Sequence, residues 1–163
     1  MAEEMAGYNE SGFLVMGSSR VRYIEELDGL GLGILDYVII GSSPLAVRGW
    51  KNNRNIDICV KQHMWDKLRN LHYPGNKLMQ FHIGRDPTLE LDNVSINRTA
   101  HPFENIEGLI MRGEIIEGHN YISLPDLIAC KSYTSSPQDV DDIGIIIRHC
   151  IDSELHNMLH YLP

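Results

Sequence analysis

Polar and apolar side chains alternate in residues 55–60 (NIDICV), and two of the polar ones, Asn55 and Asp57, have oxygen atoms that suit a metal ion. Alternation with a period of two predicts a β-strand, on which Asn55, Asp57 and Cys59 share one face. Hard cations such as Mg²⁺ prefer carboxylate oxygens, and an amide carbonyl oxygen can also coordinate them. Asp57 and Asn55 are therefore candidate metal ligands, whereas Cys59 is better explained as a small buried side chain.

A glycine–serine bend precedes this strand and has the composition of a phosphate-binding turn. A buried strand is predicted at residues 36–40 (DYVII), and the tetrapeptide Gly-Ser-Ser-Pro that begins at Gly41 leads into a helix predicted at residues 45–50. Backbone N–H groups at the start of a helix can bind phosphate. Gly41 permits a close approach to the backbone, and Ser42 can add its hydroxyl. The alternative interpretation is an ordinary strand-to-helix turn with a serine cap.

Residues 39–60 (IIGSSPLAVRGWKNNRNIDICV) resemble the core motif of the nucleotidyltransferase superfamily. That motif consists of a strand, a Gly-Ser turn, a short helix, a loop and a strand that carries Asp-x-Asp. A second stretch, residues 121–147, resembles the helical signature of the minimal, AbiEii-like and aminoglycoside nucleotidyltransferase-like branches. The two matches occur in the expected order and cover about a third of the chain.

The second match depends on the spacing of one lysine and two aspartates. Lys131, Asp139 and Asp142 fit the signature, whereas Ser136 and Gln138 stand where it has basic residues. Asp139 has a simpler explanation as a helix-capping residue, because Ser136-Pro137 is a typical helix start. Asp142 is a candidate ion-pair partner of a nearby base, either Lys131 or Arg48.

The resemblance implies that the protein binds a nucleoside triphosphate together with Mg²⁺. The expected reaction is transfer of a nucleoside monophosphate to an acceptor, which is a small molecule, a protein or an RNA end. A further metal ligand would come from a neighbouring strand, either Glu90 or Asp92 of TLELD, and we favour Glu90. Lys131 would help to neutralise the phosphates. The residues placed around the triphosphate are Gly41, Ser42, Ser43, Arg48 and Arg54.

The metal-binding motif is incomplete in this sequence. Without gaps, Asn55 takes the place of the first aspartate and Asp57 that of the second. A shift by two residues makes Asp57 the first and Cys59 the second. Either register leaves one carboxylate on the strand, and loss of a charge weakens binding of a divalent cation. The alternative function is therefore a catalytically inactive binding or regulatory protein, which the missing basic residues at Ser136 and Gln138 also favour.

The order of predicted elements indicates an α/β or α+β fold, with a mixed β-sheet flanked by helices. Residues 1–12 are expected to form a flexible N-terminus and residues 13–163 a single nucleotidyltransferase-like domain. Further strands are predicted at residues 78–83 and 88–96. Helices are predicted at residues 20–30, 64–71, 124–133 and from Pro137 to about residue 150, with Ser123 as the cap of the third. A further helical turn or two is predicted at residues 153–161.

Composition narrows the possible partners. The net charge of -8 argues against an extended DNA-binding surface, but not against a local site for one nucleotide. The three cysteines lack metal-binding spacing and indicate a reducing, cytoplasmic compartment. No apolar run approaches the ~20 residues of a membrane span, and the first residues do not resemble a signal peptide. A P-loop sequence is also missing.

Overall fold

The chain forms a mixed β-sheet flanked by helices, as the order of elements predicted, and this sheet has six strands among the described residues. The computed structural model describes residues 20–72 and 87–159. The strands run in the order β3-β4-β2-β1-β6-β5. Central β1 pairs antiparallel with β2 and parallel with β6, and β2 pairs parallel with β4. The strand bounds are β1 Tyr37–Ile40, β2 Ile56–Val60, β3 Leu89–Leu91, β4 Val94–Asn97, β5 Glu114–Ile116 and β6 His119–Tyr121.

Helices and two apolar clusters cover both faces of the sheet. Tyr37 and Ile39 of β1 face one cluster, which includes side chains of α1 and α3, whereas Val38 faces the other, which includes side chains of α4, α5 and α6. Strands that are buried on both faces read as continuous apolar runs, which explains the sequence YVII. The helix bounds are α1 Ile24–Asp28, α2 Ser43–Ala46, α3 Gln62–His72, α4 Ile106–Met111, α5 Leu124–Thr134 and α6 Pro137–Leu159.

Side-chain caps fix the starts of α5 and α6. The Ser123 hydroxyl accepts a hydrogen bond from the Asp126 backbone N–H at 3.3 Å. At α6, the Ser136 hydroxyl accepts from the Asp139 N–H, and the Asp139 carboxylate accepts from the Ser136 N–H, which is a complete capping box. Both caps were predicted from the sequence. The Asp126 carboxylate forms an ion pair with Arg112.

Several predicted boundaries are wrong for local reasons. The first helix is shorter than residues 20–30, because Tyr23 adopts a left-handed φ of 68° immediately before Ile24. The helix predicted at residues 45–50 is the four-residue α2, and the chain turns away at Gly49, which has a φ of 75°. α6 continues to Leu159 without a break near residue 150. The predicted strand at residues 78–83 and the predicted flexible residues 1–12 lie outside the described residues.

The predicted strand at residues 88–96 is a hairpin. Its two arms are β3 and β4, joined by a turn at Asp92 and Asn93, where Asp92 has a positive φ of 52°. Glu26 of α1 holds this turn, since its carboxylate accepts hydrogen bonds from the backbone N–H and the side-chain amide of Asn93 at 3.1 and 3.0 Å. Glu90 and Asp92 therefore do not share a strand face.

None of the helices in the described parts of the chain is long and apolar enough to cross a membrane.

Candidate functional site

A cleft of about 1000 Å³ opens between the sheet and helices α5 and α6. Four of the residues proposed to bind metal or nucleotide line it together: Gly41, Asp57, Glu90 and Lys131. They come from the end of β1, from β2, from β3 and from α5. A concave site with a few convergent polar groups is the usual form of a ligand-binding site.

Three polar side chains form a row across neighbouring strands on the floor of the cleft. Asp57 of β2 is in register with Ser95 of β4, and Ser95 is in register with Glu90 of β3. Directly opposed residues point to the same face of a sheet and lie close together. The Ser95 hydroxyl donates a hydrogen bond of 2.6 Å to the Glu90 carboxylate. Strand pairing therefore places two carboxylates on either side of one hydroxyl.

Gly41 and Asp57 are in direct contact at the head of this row. Gly41 has a φ of 75°, and a Cβ added there would lie 2.6 Å from the Oδ2 atom of Asp57. Ile40, the preceding residue, is the register partner of Asp57 across β1 and β2. The bend therefore needs glycine for two reasons, its backbone conformation and the space that Asp57 occupies.

Replacement of Gly41 by alanine is expected to lower the free energy of unfolding by about 1–3 kcal/mol and to displace the Asp57 carboxylate. Gly31→Ala is a matched control, since Gly31 also has a positive φ of 65° but a Cβ there would have nothing within 4 Å. Both variants force alanine into a backbone conformation with positive φ, but only the alanine at position 41 would clash with the Asp57 side chain. Urea unfolding of the two variants measures the difference. Equal losses would contradict the close contact between Gly41 and Asp57.

The surroundings of Asp57 disfavour its charged form. Burial raises the pKa of this carboxyl from 3.8 to about 6, and the negative charge of Glu90 adds to the rise. The charge of Lys131 and a hydrogen bond with Ser95 oppose the rise. A carboxylate destabilised in this way gains most from a cation placed beside it.

Lys131 reaches the cleft from α5 and is held by two aspartates of α6. Its ammonium lies 2.8 Å from Asp142 and 3.5 Å from Asp139. Asp142 is completely buried, and its other oxygen accepts a hydrogen bond of 2.5 Å from Lys51. Of the two bases proposed for Asp142, Lys131 is thus the one that pairs with it, and Lys51 is a partner that the sequence did not indicate.

Asp139 borders the cleft, and its surroundings favour the charged form of its carboxyl. Burial raises the pKa of its carboxyl, but hydrogen bonds from Ser136 and Thr134 and the charge of Lys131 together hold it below the ordinary value. The Thr134 and Ser136 hydroxyls both donate to it at 2.7 Å. Its capping role and its contact with Lys131 thus coexist.

The other residues proposed to contact phosphate lie outside the cleft lining. Ser43 is completely buried, and its hydroxyl donates to the Asn55 carbonyl oxygen at 3.3 Å. Ser42 occupies the cap position of α2 without a side-chain cap hydrogen bond. Arg48 donates to the Pro44 carbonyl and forms an ion pair of 2.6 Å with Glu114.

Arg54 and Asn55 precede β2. Arg54 is exposed to solvent, and neither it nor Asn55 is among the residues that line the cleft. Asp92 lines a separate, smaller cavity of about 380 Å³, which Glu90 also lines. Of the four proposed metal ligands, the structure brings only Asp57 and Glu90 to the cleft.

The donor set at the cleft limits what it can bind. In residues 20–72 and 87–159, no group of three or more His, Cys, Asp or Glu side chains is close enough to hold a metal ion. Asp57, Glu90 and the Ser95 hydroxyl between them offer only oxygen atoms, the donor type that hard divalent cations prefer. This set lacks the third carboxylate expected of a two-cation site.

An aromatic pair at the cleft was not indicated by the sequence. Tyr133 of α5 and His101 stack with their ring centroids 5.4 Å apart and an angle of 22° between the rings. Both line the cleft, and the Tyr133 side chain is 61% exposed. Their separation in sequence carries no periodic signal. Ser95 and Asn97 could have been found, since they alternate along β4 on one strand face.

No protein-family model, curated protein or solved structure matches this chain. Membership of the nucleotidyltransferase superfamily remains a resemblance carried by residues 39–60 and 121–147.

Proposed function

We propose that this protein binds a nucleoside triphosphate together with one divalent cation in the cleft, in the manner of a nucleotidyltransferase. The contact between the Gly41 bend and Asp57 is the observation that carries the proposal. A glycine with positive φ exposes backbone N–H groups to an anion, and a carboxylate beside it can hold the cation that the anion requires.

The charges of the cleft support a role for the cation. Among the described residues that line it, Asp57, Glu90 and Asp139 are acidic, whereas Lys131 is the one lysine or arginine. This lysine is already neutralised by Asp142 and Asp139. A polyphosphate would be repelled by such a surface unless a cation bound with it. Asp57 and Glu90 would hold that cation, which would supply positive charge next to the phosphates.

The aromatic pair supports a nucleotide over a simple polyphosphate. Tyr133 uses one face of its ring against His101 and is otherwise exposed at the edge of the cleft. An exposed tyrosine ring is a platform on which a nucleobase can stack, at about 1–3 kcal/mol per base. With the phosphates near Gly41 and Asp57, the base would lie towards Tyr133.

A second candidate function is nucleotide binding without transfer. It is favoured by the position of Asn55 outside the cleft, and because no third acidic side chain of the described residues groups with Asp57 and Glu90 to hold a metal ion. Transfer through two cations requires more negative charge than Asp57 and Glu90 provide. Measurement of pyrophosphate release with a panel of acceptors separates the two functions, because a binding protein would bind the nucleotide and release none.

Calorimetric titration with ATP and with inorganic tripolyphosphate, each with Mg²⁺, tests the proposal. We expect both to bind, and we expect Tyr133→Ala to weaken ATP by about tenfold or more while leaving tripolyphosphate unchanged. Tyr133→Phe is the matched control, because it keeps the ring and should bind ATP normally. Failure of ATP to bind the unaltered protein would refute the proposed function. Equal binding of ATP by all three proteins would refute only the position of the base.

A further inference from the structure

An apolar stripe runs along the exposed side of α6. Its members are Val140, Gly144, Ile147 and Ile151, separated by four, three and four residues. The side chains of Val140, Ile147 and Ile151 are 58%, 46% and 50% exposed, and a Cβ added at Gly144 would have nothing within 4 Å. This spacing is that of a coiled-coil seam, and the opposite side of α6 packs in the core through Ile146.

Residues 150–154 of α6 have little packing support from the described part of the chain. All side chains of residues 150–154 are exposed, although the helix continues to Leu159. Helices in water are stabilised mainly by packing of an apolar face, and a short helix without it is marginal. The stripe is therefore the surface through which these turns would be supported.

We infer that the stripe pairs with α6 of a second copy of this chain, antiparallel and around a two-fold axis. In the register that sets Val140 against Ile151 of the second copy, Gly144 faces Ile147. The side-chain-free surface of Gly144 leaves room for the isoleucine. Because the contact is isologous, each of these pairs occurs twice.

The charges that flank the stripe select this arrangement. Asp141 and Arg148 are exposed, and neither forms an ion pair within the described residues. In the antiparallel register they are the flanking positions that meet, so that Asp141 of each copy faces Arg148 of the other. A parallel pair would place Arg148 beside the apolar Ile143 and leave both charges without partners. An antiparallel pair also opposes the helix dipoles favourably.

The proposed interface is small, so self-association is expected to be weak and dependent on concentration. Sedimentation velocity over a range of concentrations should show a monomer–dimer equilibrium. Ile147→Asp should remain monomeric throughout. The matched control is Met111→Asp, which introduces the same charge at an exposed apolar residue of α4, 73% exposed, and should associate normally.

Exchange of the two charges tests the register separately. Asp141→Arg alone would oppose two arginines and should weaken association, whereas Asp141→Arg with Arg148→Asp should restore it. Circular dichroism of each variant checks that α6 still forms. A wild-type protein that stays monomeric at the highest concentration would overturn the inference, as would equal association of Ile147→Asp and Met111→Asp. Failure of the double variant to recover would overturn the antiparallel register.

Discussion

Replacement of Asp142 by alanine is expected to lower the free energy of unfolding by about 3–5 kcal/mol. Asp142 is completely buried, and Lys131, which it holds at 2.8 Å, is 6% exposed. Removal of the aspartate would leave the ammonium of Lys131 buried with Asp139 as its nearest acidic neighbour, at 3.5 Å. A buried charge left with only this longer contact costs more than the lost attraction, because it cannot regain its hydration.

Urea unfolding measures this loss. Two further variants test whether it comes from the buried charge pair. Asp152→Ala removes an exposed aspartate from the same helix and should change stability by less than about 0.5 kcal/mol. Lys131→Met combined with Asp142→Leu removes both charges and should recover much of the loss. Lys51, whose side chain is 26% exposed, can turn to solvent in that variant. A loss of less than about 1 kcal/mol in Asp142→Ala would contradict the buried pair.

This network shows what sequence spacing can and cannot predict. Lys131 and Asp142 are eleven residues apart on two helices joined by a tight turn, so their spacing in the sequence was enough to predict the pair. Lys51 lies in a loop 91 residues from Asp142 and has no periodic relation to it. Short-range geometry is encoded by helix and strand periods, whereas contacts between a loop and a helix depend on the packing of the whole domain.

The acidic residues of the hairpin also show where a strand period fails to predict side-chain positions. Glu90 and Asp92 are two residues apart, which predicts one face on a continuous strand. The turn at Asp92 and Asn93 ends that strand, and aspartate and asparagine are the residues that tolerate a left-handed conformation. The sequence carried this turn signal, but its apolar residues on both sides favoured a single strand. Glu26, 67 residues earlier, holds the turn in place.

The core of the site was more predictable than its boundary. Gly41 directly follows β1 and Asp57 lies on β2, the next strand in the sequence, so pairing of these two strands was a natural arrangement. The pairing of β2 with β4 brings Ser95 and Glu90 beside Asp57, and this register depends on strands that are distant in sequence. Arg48 and Arg54 lie outside the cleft lining, because long side chains select partners, here Glu114 and solvent, that depend on surface packing.

The apo protein is expected to become more stable when Asp57 is replaced by asparagine. Burial and the charge of Glu90 raise the pKa of Asp57 to about 6, so its ionised form destabilises the fold at neutral pH. Asparagine has a similar shape and carries no charge. We expect a gain of about 1–3 kcal/mol above about pH 7, measured by urea unfolding without added cation. Residues that serve function often lower the stability of the folded protein in this way.

The dependence on pH distinguishes this cause from a general effect of the substitution. The folded-state pKa of about 6 lies above the ordinary value of 3.8, so the folded protein keeps a proton that the unfolded chain releases between these values. As pH rises through this interval, wild-type stability falls, and the contribution of Asp57 to that fall is complete above about pH 6. Asp57→Asn should lack this contribution, and the two stability curves should therefore meet towards pH 4.

As pH rises, the affinity of the wild type for Mg²⁺ should increase while its stability without cation falls. The ionised carboxylate of Asp57 binds the cation, so wild-type affinity for Mg²⁺ should be about tenfold lower at one pH unit below the pKa than well above it. Mg²⁺ should raise the unfolding free energy of the wild type and leave that of Asp57→Asn unchanged. A structural aspartate would show the reverse pattern, with loss of stability on substitution and no response to Mg²⁺. A gain in stability with loss of the Mg²⁺ response is therefore the combination that a binding role for Asp57 requires.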